Sequence, residues 1–157
     1  MGMVAEYAAA RHAEVTARLR RVLALRAMAA AGKGQRQIAR ELGVTQPAVS
    51  QQFKHAPELG KLPPDVLLEA AVPVLKALAL DQGYSRLAVF GSVARAEAQP
   101  SSDIDLLVEV PQGTGAFAFL RFKRLIEQVL GREVDLVSYA GLTAGLDDDI
   151  LHEAVLL

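Results

Sequence analysis

The segment Phe90–Glu109 (FGSVARAEAQPSSDIDLLVE) decides the interpretation of the second half of the chain. It connects two apolar runs, Arg86–Phe90 and Asp103–Val110, through a turn at Gly91-Ser92. Apolar runs of about four to eight residues that are bounded by turn residues are typical of buried strands. The segment therefore predicts two strands, with a helix that begins in Val93–Ala98 between them.

The residues around this segment continue the alternation of helices and strands. Apolar spacing predicts helices over Asp65–Leu80, Phe117–Leu130 and Asp147–Leu157, and a third strand over Glu133–Ser138. Such an alternation indicates a small α/β unit within an α+β chain. We expect its strands to form a mixed sheet.

Acidic residues recur on two of the predicted strands. Asp103 and Asp105 are two positions apart, so their side chains share one face of the strand, with Cα atoms about 7 Å apart. Asp135 would join them if its strand pairs alongside. Carboxylates this close repel one another unless a cation lies between them, and oxygen ligands favour Mg²⁺ or Mn²⁺. Gly91-Ser92, between a strand and a helix start, suits a phosphate group.

The ordered set of Gly-Ser, a spacer, Asp-x-Asp and a third acidic strand residue resembles the nucleotidyltransferase superfamily that includes DNA polymerase beta. It is most similar to the minimal nucleotidyltransferases, over residues from about 65 to the C-terminus. The resemblance implies a substrate NTP, expected to be ATP, with phosphates held by Gly91, Ser92 and Arg95. It also implies two Mg²⁺ ions (Mn²⁺ being an alternative) and three residues that are both catalytic and metal-binding, namely Asp103, Asp105 and Asp135.

One position departs from the pattern of that family. Glycine usually follows the Ala-Arg pair, whereas this chain has Ala96. If the backbone there requires a positive φ, alanine costs roughly 1 kcal/mol.

The first 62 residues have a different character. Helices are predicted over Ala5–Ala31, Gln35–Leu42 and Gln46–Lys54, with prolines marking a linker over residues 55–64. The second and third helices resemble a bacterial helix-turn-helix, in which the third helix enters the major groove of DNA. Polar and basic residues on this pair are the predicted DNA-binding set: Arg36, Arg40, Thr45, Gln46, Ser50, Gln51 and Lys54.

Composition and charge bound the class of protein. The chain has 157 residues and no cysteine, which excludes a disulfide scaffold and a thiolate metal site. Its net charge of -1 conceals two unequal parts: residues 1–62 carry +6 and residues 63–157 carry −7. We expect two domains with these bounds, a helix-turn-helix domain and a nucleotidyltransferase domain. We also expect a cytoplasmic protein, since no apolar run is long enough to span a membrane.

Several functions remain open from the sequence. The resemblance implies an antitoxin-type enzyme that transfers a nucleoside monophosphate, expected to be AMP, to a hydroxyl group of a HEPN-type toxin. The helix-turn-helix would bind operator DNA and regulate the operon, in a homodimer or a hetero-oligomer. The alternative is a transcriptional regulator whose transferase domain is inactive and only binds nucleotide or docks a partner. An antibiotic- or tRNA-modifying transferase is a third reading, although the chain lacks room for a further substrate domain.

Overall fold

A computed structural model describes all residues from 1 to 157. It contains seven α-helices and four strands. The helices are α1 (Gly2–Ala30), α2 (Gln35–Leu42), α3 (Gln46–Lys54), α4 (Pro64–Asp81), α5 (Gly91–Ala94), α6 (Ala116–Leu130) and α7 (Asp148–Glu153). The strands are β1 (Ser85–Phe90), β2 (Ile104–Glu109), β3 (Val134–Ser138) and β4 (Val155–Leu156). Single 3₁₀ turns lie at Leu59–Lys61 and Tyr139–Gly141.

The four strands form one mixed sheet in the order β3-β2-β1-β4. Strand β1 pairs antiparallel with both β2 and β4, whereas β2 and β3 are parallel. The parallel pair is connected through α6, as a parallel connection requires a crossover. The predicted α+β architecture with a mixed sheet is confirmed, and the pairing of β2 with β3 puts the acidic residues of both strands on neighbouring positions.

The two faces of the sheet are covered unequally. One face packs against α4 and α6, which are covered in turn by α1, in the main hydrophobic cluster, which includes Ile104, Leu106 and Leu136. The other face carries a three-residue cluster of Ala88, Phe90 and Leu107, covered in part by α7 and the segment before it. Because side chains alternate along a strand, the strand residues next to Ile104, Leu106 and Leu136 in the sequence lie on this second, thinly covered face.

Helix α1 takes part in two hydrophobic clusters. Its Leu19 and Leu23 belong to the main cluster, and its Leu25 packs with Ile38 and Val49 of the α2–α3 pair. This helix of the first predicted domain therefore contacts residues of both predicted domains. The division at residues 62 and 63 stays a prediction.

The α2–α3 pair follows the expected local rules. Gly43 ends α2 with a φ of 67°, and the Thr45 hydroxyl caps α3 by accepting a hydrogen bond from the Ala48 N–H at 3.2 Å. Leu42 and Val44 stay about half exposed, and the buried contacts of the pair come from Ile38, Ala39 and Val49.

Three predictions require correction. The chain after Glu153 forms β4 instead of continuing the last helix, because it can pair with the free edge of β1. The helix predicted to begin in Val93–Ala98 is a single turn at Gly91–Ala94, which ends before Ala96, where φ is 57°. The first helix, predicted to begin at Ala5, already begins at Gly2, and Val15 lies on its exposed first half. No helix has both the length and the hydropathy needed to cross a bilayer.

Candidate active site

The three predicted carboxylates come from two neighbouring strands. Asp105 and Asp135 are direct register partners on parallel β2 and β3, so their Cα atoms are about 4.8 Å apart across the ladder. Asp103 lies one residue before β2 and is exposed, Asp105 is half-buried, and Asp135 is exposed between buried Val134 and Leu136. The structure therefore brings all three to the same end of the sheet, on the face opposite α6.

The charges of these residues act on one another. Burial raises the pKa of the Asp105 carboxyl, and the nearby carboxylates of Asp135 and Asp103 raise that pKa further. The Arg95 guanidinium acts in the opposite direction but is a smaller influence. An ionised Asp105 is therefore held in an unfavourable negative field, which a bound cation would relieve.

Gly91 lies directly against the carboxylate of Asp105. It has a φ of 73°, and a Cβ atom there would come within 3.0 Å of the Asp105 Cγ and closer still to Oδ2. Any other residue would be strained by both the backbone conformation and this contact. The glycine thus lets the turn that carries Ser92 approach the carboxylates.

The structure also shows that Arg95 is already engaged. Its Nη1 donates to Glu153 at 2.8 Å and its Nε donates to Glu97 at 3.1 Å. The other oxygen of Glu153 accepts the Gly91 N–H at 2.9 Å. These bonds from Arg95 and Gly91 lower the pKa of the Glu153 carboxyl.

Glu153 was missed by the sequence analysis. It lies near the C-terminus in α7, 58 and 62 positions from its two partners. Nothing local in the sequence indicates that this residue returns to the Gly-Ser turn. The sequence showed only an acidic residue within the predicted helix over Asp147–Leu157, and such a residue is usually at a solvated surface position.

A second arginine supports the loop before Asp103. Arg132 donates to the carbonyl oxygens of Leu62, Pro100 and Ser102 at 2.7–2.9 Å. These bonds connect the start of β3, the linker and the loop that leads into Asp103. Arg132 therefore stabilises the loop that carries the first predicted metal ligand.

The predicted metal ligands suit a hard divalent ion. All three donors are carboxylates, the oxygen ligands that Mg²⁺ and Mn²⁺ prefer. No group of three or more acidic, histidine or cysteine side chains is gathered tightly enough to enclose an ion in this structure. The three residues fit the ion because all are carboxylates and because they lie on the same face of the sheet.

The predicted DNA-binding residues lie elsewhere, on α2, on α3 and at Thr45, which caps α3. Ser50 is half-buried, and the other six are exposed: Arg36, Arg40, Thr45, Gln46, Gln51 and Lys54. Arg36, Arg40 and Lys54 form no salt bridge, whereas Gln46 donates to Gln35 at 2.8 Å.

A mixed sheet that carries three carboxylates beside a Gly-Ser turn defines the C-terminal part of the chain as an α+β domain. The chain belongs to the nucleotidyltransferase domain family, whose model matches residues 74–157. The match covers both the turn and all three carboxylates.

Individual relatives agree with this assignment. The chain is 43% identical, over 84 residues, to the provisionally named protein adenylyltransferase MJ0435 of Methanocaldococcus jannaschii, covering 54% of this chain and 86% of that protein. It is 36% identical to the protein adenylyltransferase MntA of Thermococcus cleftensis, covering 46% and 74% of the two chains. A solved structure, provisionally described as a minimal nucleotidyltransferase, shares 41% identity and a TM-score of 0.53 over 57% of this chain and 92% of that one.

Proposed function

We propose that this chain transfers AMP from ATP to a hydroxyl group of a partner protein. The observation that carries the proposal is the register pairing of Asp105 with Asp135, beside Gly91, where any other residue would be strained. The names of the relatives, which are protein adenylyltransferases, favour AMP as the transferred group and a protein as the acceptor.

In the proposed reaction, the acceptor oxygen bonds to the α-phosphorus of ATP. The bond from that phosphorus to the oxygen shared with the β-phosphate breaks, and pyrophosphate leaves. Asp135 receives the proton of the acceptor hydroxyl. Ser92 and the Gly91 turn orient the phosphates, and Arg95 lies at the rim of the site, where it can contact the leaving group.

Asp103, Asp105 and Asp135 would hold two Mg²⁺ ions. When bound, the ions supply neutralisation of charge on the attacking and leaving oxygens. The carboxylates themselves position the acceptor and the nucleotide relative to each other. Mn²⁺ has the same ligand preference and would be expected to substitute.

The test of this function uses a candidate acceptor, the protein encoded by the gene next to that of this chain. We expect this acceptor to be a HEPN-type toxin. After incubation with ATP, Mg²⁺ and the intact chain, the mass of the acceptor should increase by one AMP unit. The double variant Asp103→Ala and Asp105→Ala should leave the acceptor unmodified. AMP transfer by the double variant would contradict the carboxylate mechanism.

We further propose that α2 and α3 bind double-stranded operator DNA as a helix-turn-helix. Support comes from three exposed cations without salt bridges, Arg36, Arg40 and Lys54, and from the Gly43 turn and the Thr45 cap. Two copies, or one copy with a partner protein, would be needed to occupy paired half-sites. This activity would let the chain regulate its own operon.

A gel-shift with the DNA upstream of its own gene tests this second function. Binding should weaken steeply as salt increases, since cations at phosphates release counterions. Arg40→Ala should reduce binding at every DNA sequence. Binding that changes neither with salt nor with Arg40→Ala would favour a role for the helix pair in docking a protein, without regulation of transcription.

A further inference from the structure

Glu153 connects the C-terminal helix to the proposed nucleotide site through both of its carboxylate oxygens. One oxygen accepts the Gly91 N–H at 2.9 Å, and the other lies 2.8 Å from Nη1 of Arg95. The Glu153 side chain is 23% exposed and that of Arg95 is 46% exposed. Both partners are groups to which the proposed function assigns a role at the phosphates.

We propose that Glu153 is a positioning residue that holds the Gly91–Arg95 turn in the conformation that receives the nucleoside triphosphate. The inference rests on the proposed function. It assigns to α7 a part in nucleotide binding, although this helix carries none of the predicted site residues.

The turn needs such support because it cannot hold its own shape. Helix α5 has four residues, and a helix of one turn has almost no stability of its own. The turn also begins at a left-handed glycine and ends next to Ala96, which has a φ of 57°. A turn under this strain keeps one conformation only when its surroundings fix it.

Glu153 is the side chain that fixes both ends of the turn at once. It is bonded to the first residue, Gly91, and to the residue after the last one, Arg95. Glu97 also contacts Arg95, at 3.1 Å, but it has no bond to Gly91 and its side chain is 67% exposed. Glu97 therefore provides a matched control, because it is a second carboxylate on the same guanidinium without the second anchor.

The experiment measures ATP binding in the presence of Mg²⁺ by calorimetry, so that no acceptor is required. The intact wild-type chain is compared with Glu153→Gln and Glu97→Gln, and the thermal midpoint of each is recorded without ligand. Glu153→Gln keeps the size of the side chain but cannot accept from both partners. We expect it to bind ATP about tenfold more weakly, the loss typical of a hydrogen bond to a charged group.

Glu97→Gln should bind within about twofold of the wild type, since an exposed ion pair contributes little. Unchanged or tighter binding by Glu153→Gln would overturn the inference; tighter binding would mean that the carboxylate competes with phosphate. If the wild type binds no nucleotide, the proposed function fails, and the inference fails with it.

A second variant, Glu153→Asp, guards against loss of the fold. It keeps the charge but is one methylene shorter, so it cannot span both partners, and it should also bind ATP weakly at an unchanged thermal midpoint. Unfolding of both Glu153 variants would show that the residue serves stability alone, which contradicts a positioning role.

Discussion

Ala96 adopts a left-handed backbone conformation with a φ of 57°. The strain arises from the contact between the Cβ atom and the backbone, which glycine lacks. We expect Ala96→Gly to raise the free energy of unfolding by about 1 kcal/mol, measured by urea denaturation. The same change at Ala31, where φ is −75°, relieves no strain and should not stabilise the chain.

Asp135 is expected to destabilise the metal-free protein. Its charge faces Asp105 across β2 and β3, where it raises the pKa of that carboxyl. A carboxyl with a raised folded-state pKa costs stability when ionised, and the cost is relieved as the pH falls through that pKa. Without metal, Asp135→Asn should therefore stabilise the fold by roughly 0.5 kcal/mol near neutral pH, since directly opposed like charges are removed.

Thermal melts with and without Mg²⁺ check this prediction. Mg²⁺ should raise the melting temperature of the wild type and have much less effect on Asp135→Asn. Glu133→Gln, an exposed change just before β3, is the control and should respond to Mg²⁺ as the wild type does. An equal response of wild type and Asp135→Asn to Mg²⁺ would argue against Asp135 as a ligand.

At the residue scale, the sequence predicted the parts of the site that lie in short motifs. Asp103, Asp105 and the Gly-Ser turn could be recognised because their spacing has a local physical meaning. Glu153 could not be recognised, because its role depends on a contact made across more than 50 positions of the chain.

Between elements, the loop before Asp103 depends on a single guanidinium. Arg132 donates to three carbonyl oxygens, one in the linker and two in the loop. We expect Arg132→Gln to release this loop, because glutamine cannot span the three acceptors. Hydrogen exchange at residues 99–103 should become about tenfold faster or more, if a bond to the charged group is lost.

Arg124→Gln offers a control for that measurement, since Arg124 is exposed on α6 and forms no salt bridge. Its exchange pattern at residues 99–103 should match the wild type. Loop exchange that is equally slow in Arg132→Gln would show that the loop is held by its own turn, through the bonds between Gln99 and Ser102.

Elements with local signals were predicted well, and elements defined by partners were not. The bounds of α2 and α3 are confirmed, because a left-handed glycine and a threonine cap determine them within a few residues. The two residues of β4 were expected to be helical. Their strand conformation comes from pairing with the edge of β1. Val155 is the register partner of Val89, 66 positions away, and no local pattern reveals this pairing.

In the whole molecule, α1 joins the basic first part of the chain to the acidic second part. Arg26 of α1 donates three hydrogen bonds to the carbonyl oxygens of Gln128 and Val129, at the end of α6. These carbonyls have no partner within their own helix and depend on the arginine. Arg26→Gln should lower the free energy of unfolding by about 1–3 kcal/mol.

Urea denaturation measures this loss, and Arg20→Gln serves as the control because Arg20 is exposed on the same helix without a salt bridge. The control should be within about 0.5 kcal/mol of the wild type. If Arg26→Gln were equally stable, the packing of Leu19 and Leu23 alone would account for the attachment of α1 to α4 and α6.

The central claim is that the chain moves a nucleotidyl group and not a terminal phosphate. It is tested most directly with ATP labelled at the α-phosphate in one sample and at the γ-phosphate in another, each with Mg²⁺ and the protein acceptor. The proposed reaction predicts that the α-label enters the acceptor while the γ-label leaves in pyrophosphate. Transfer of the γ-label, or of neither label, would contradict it.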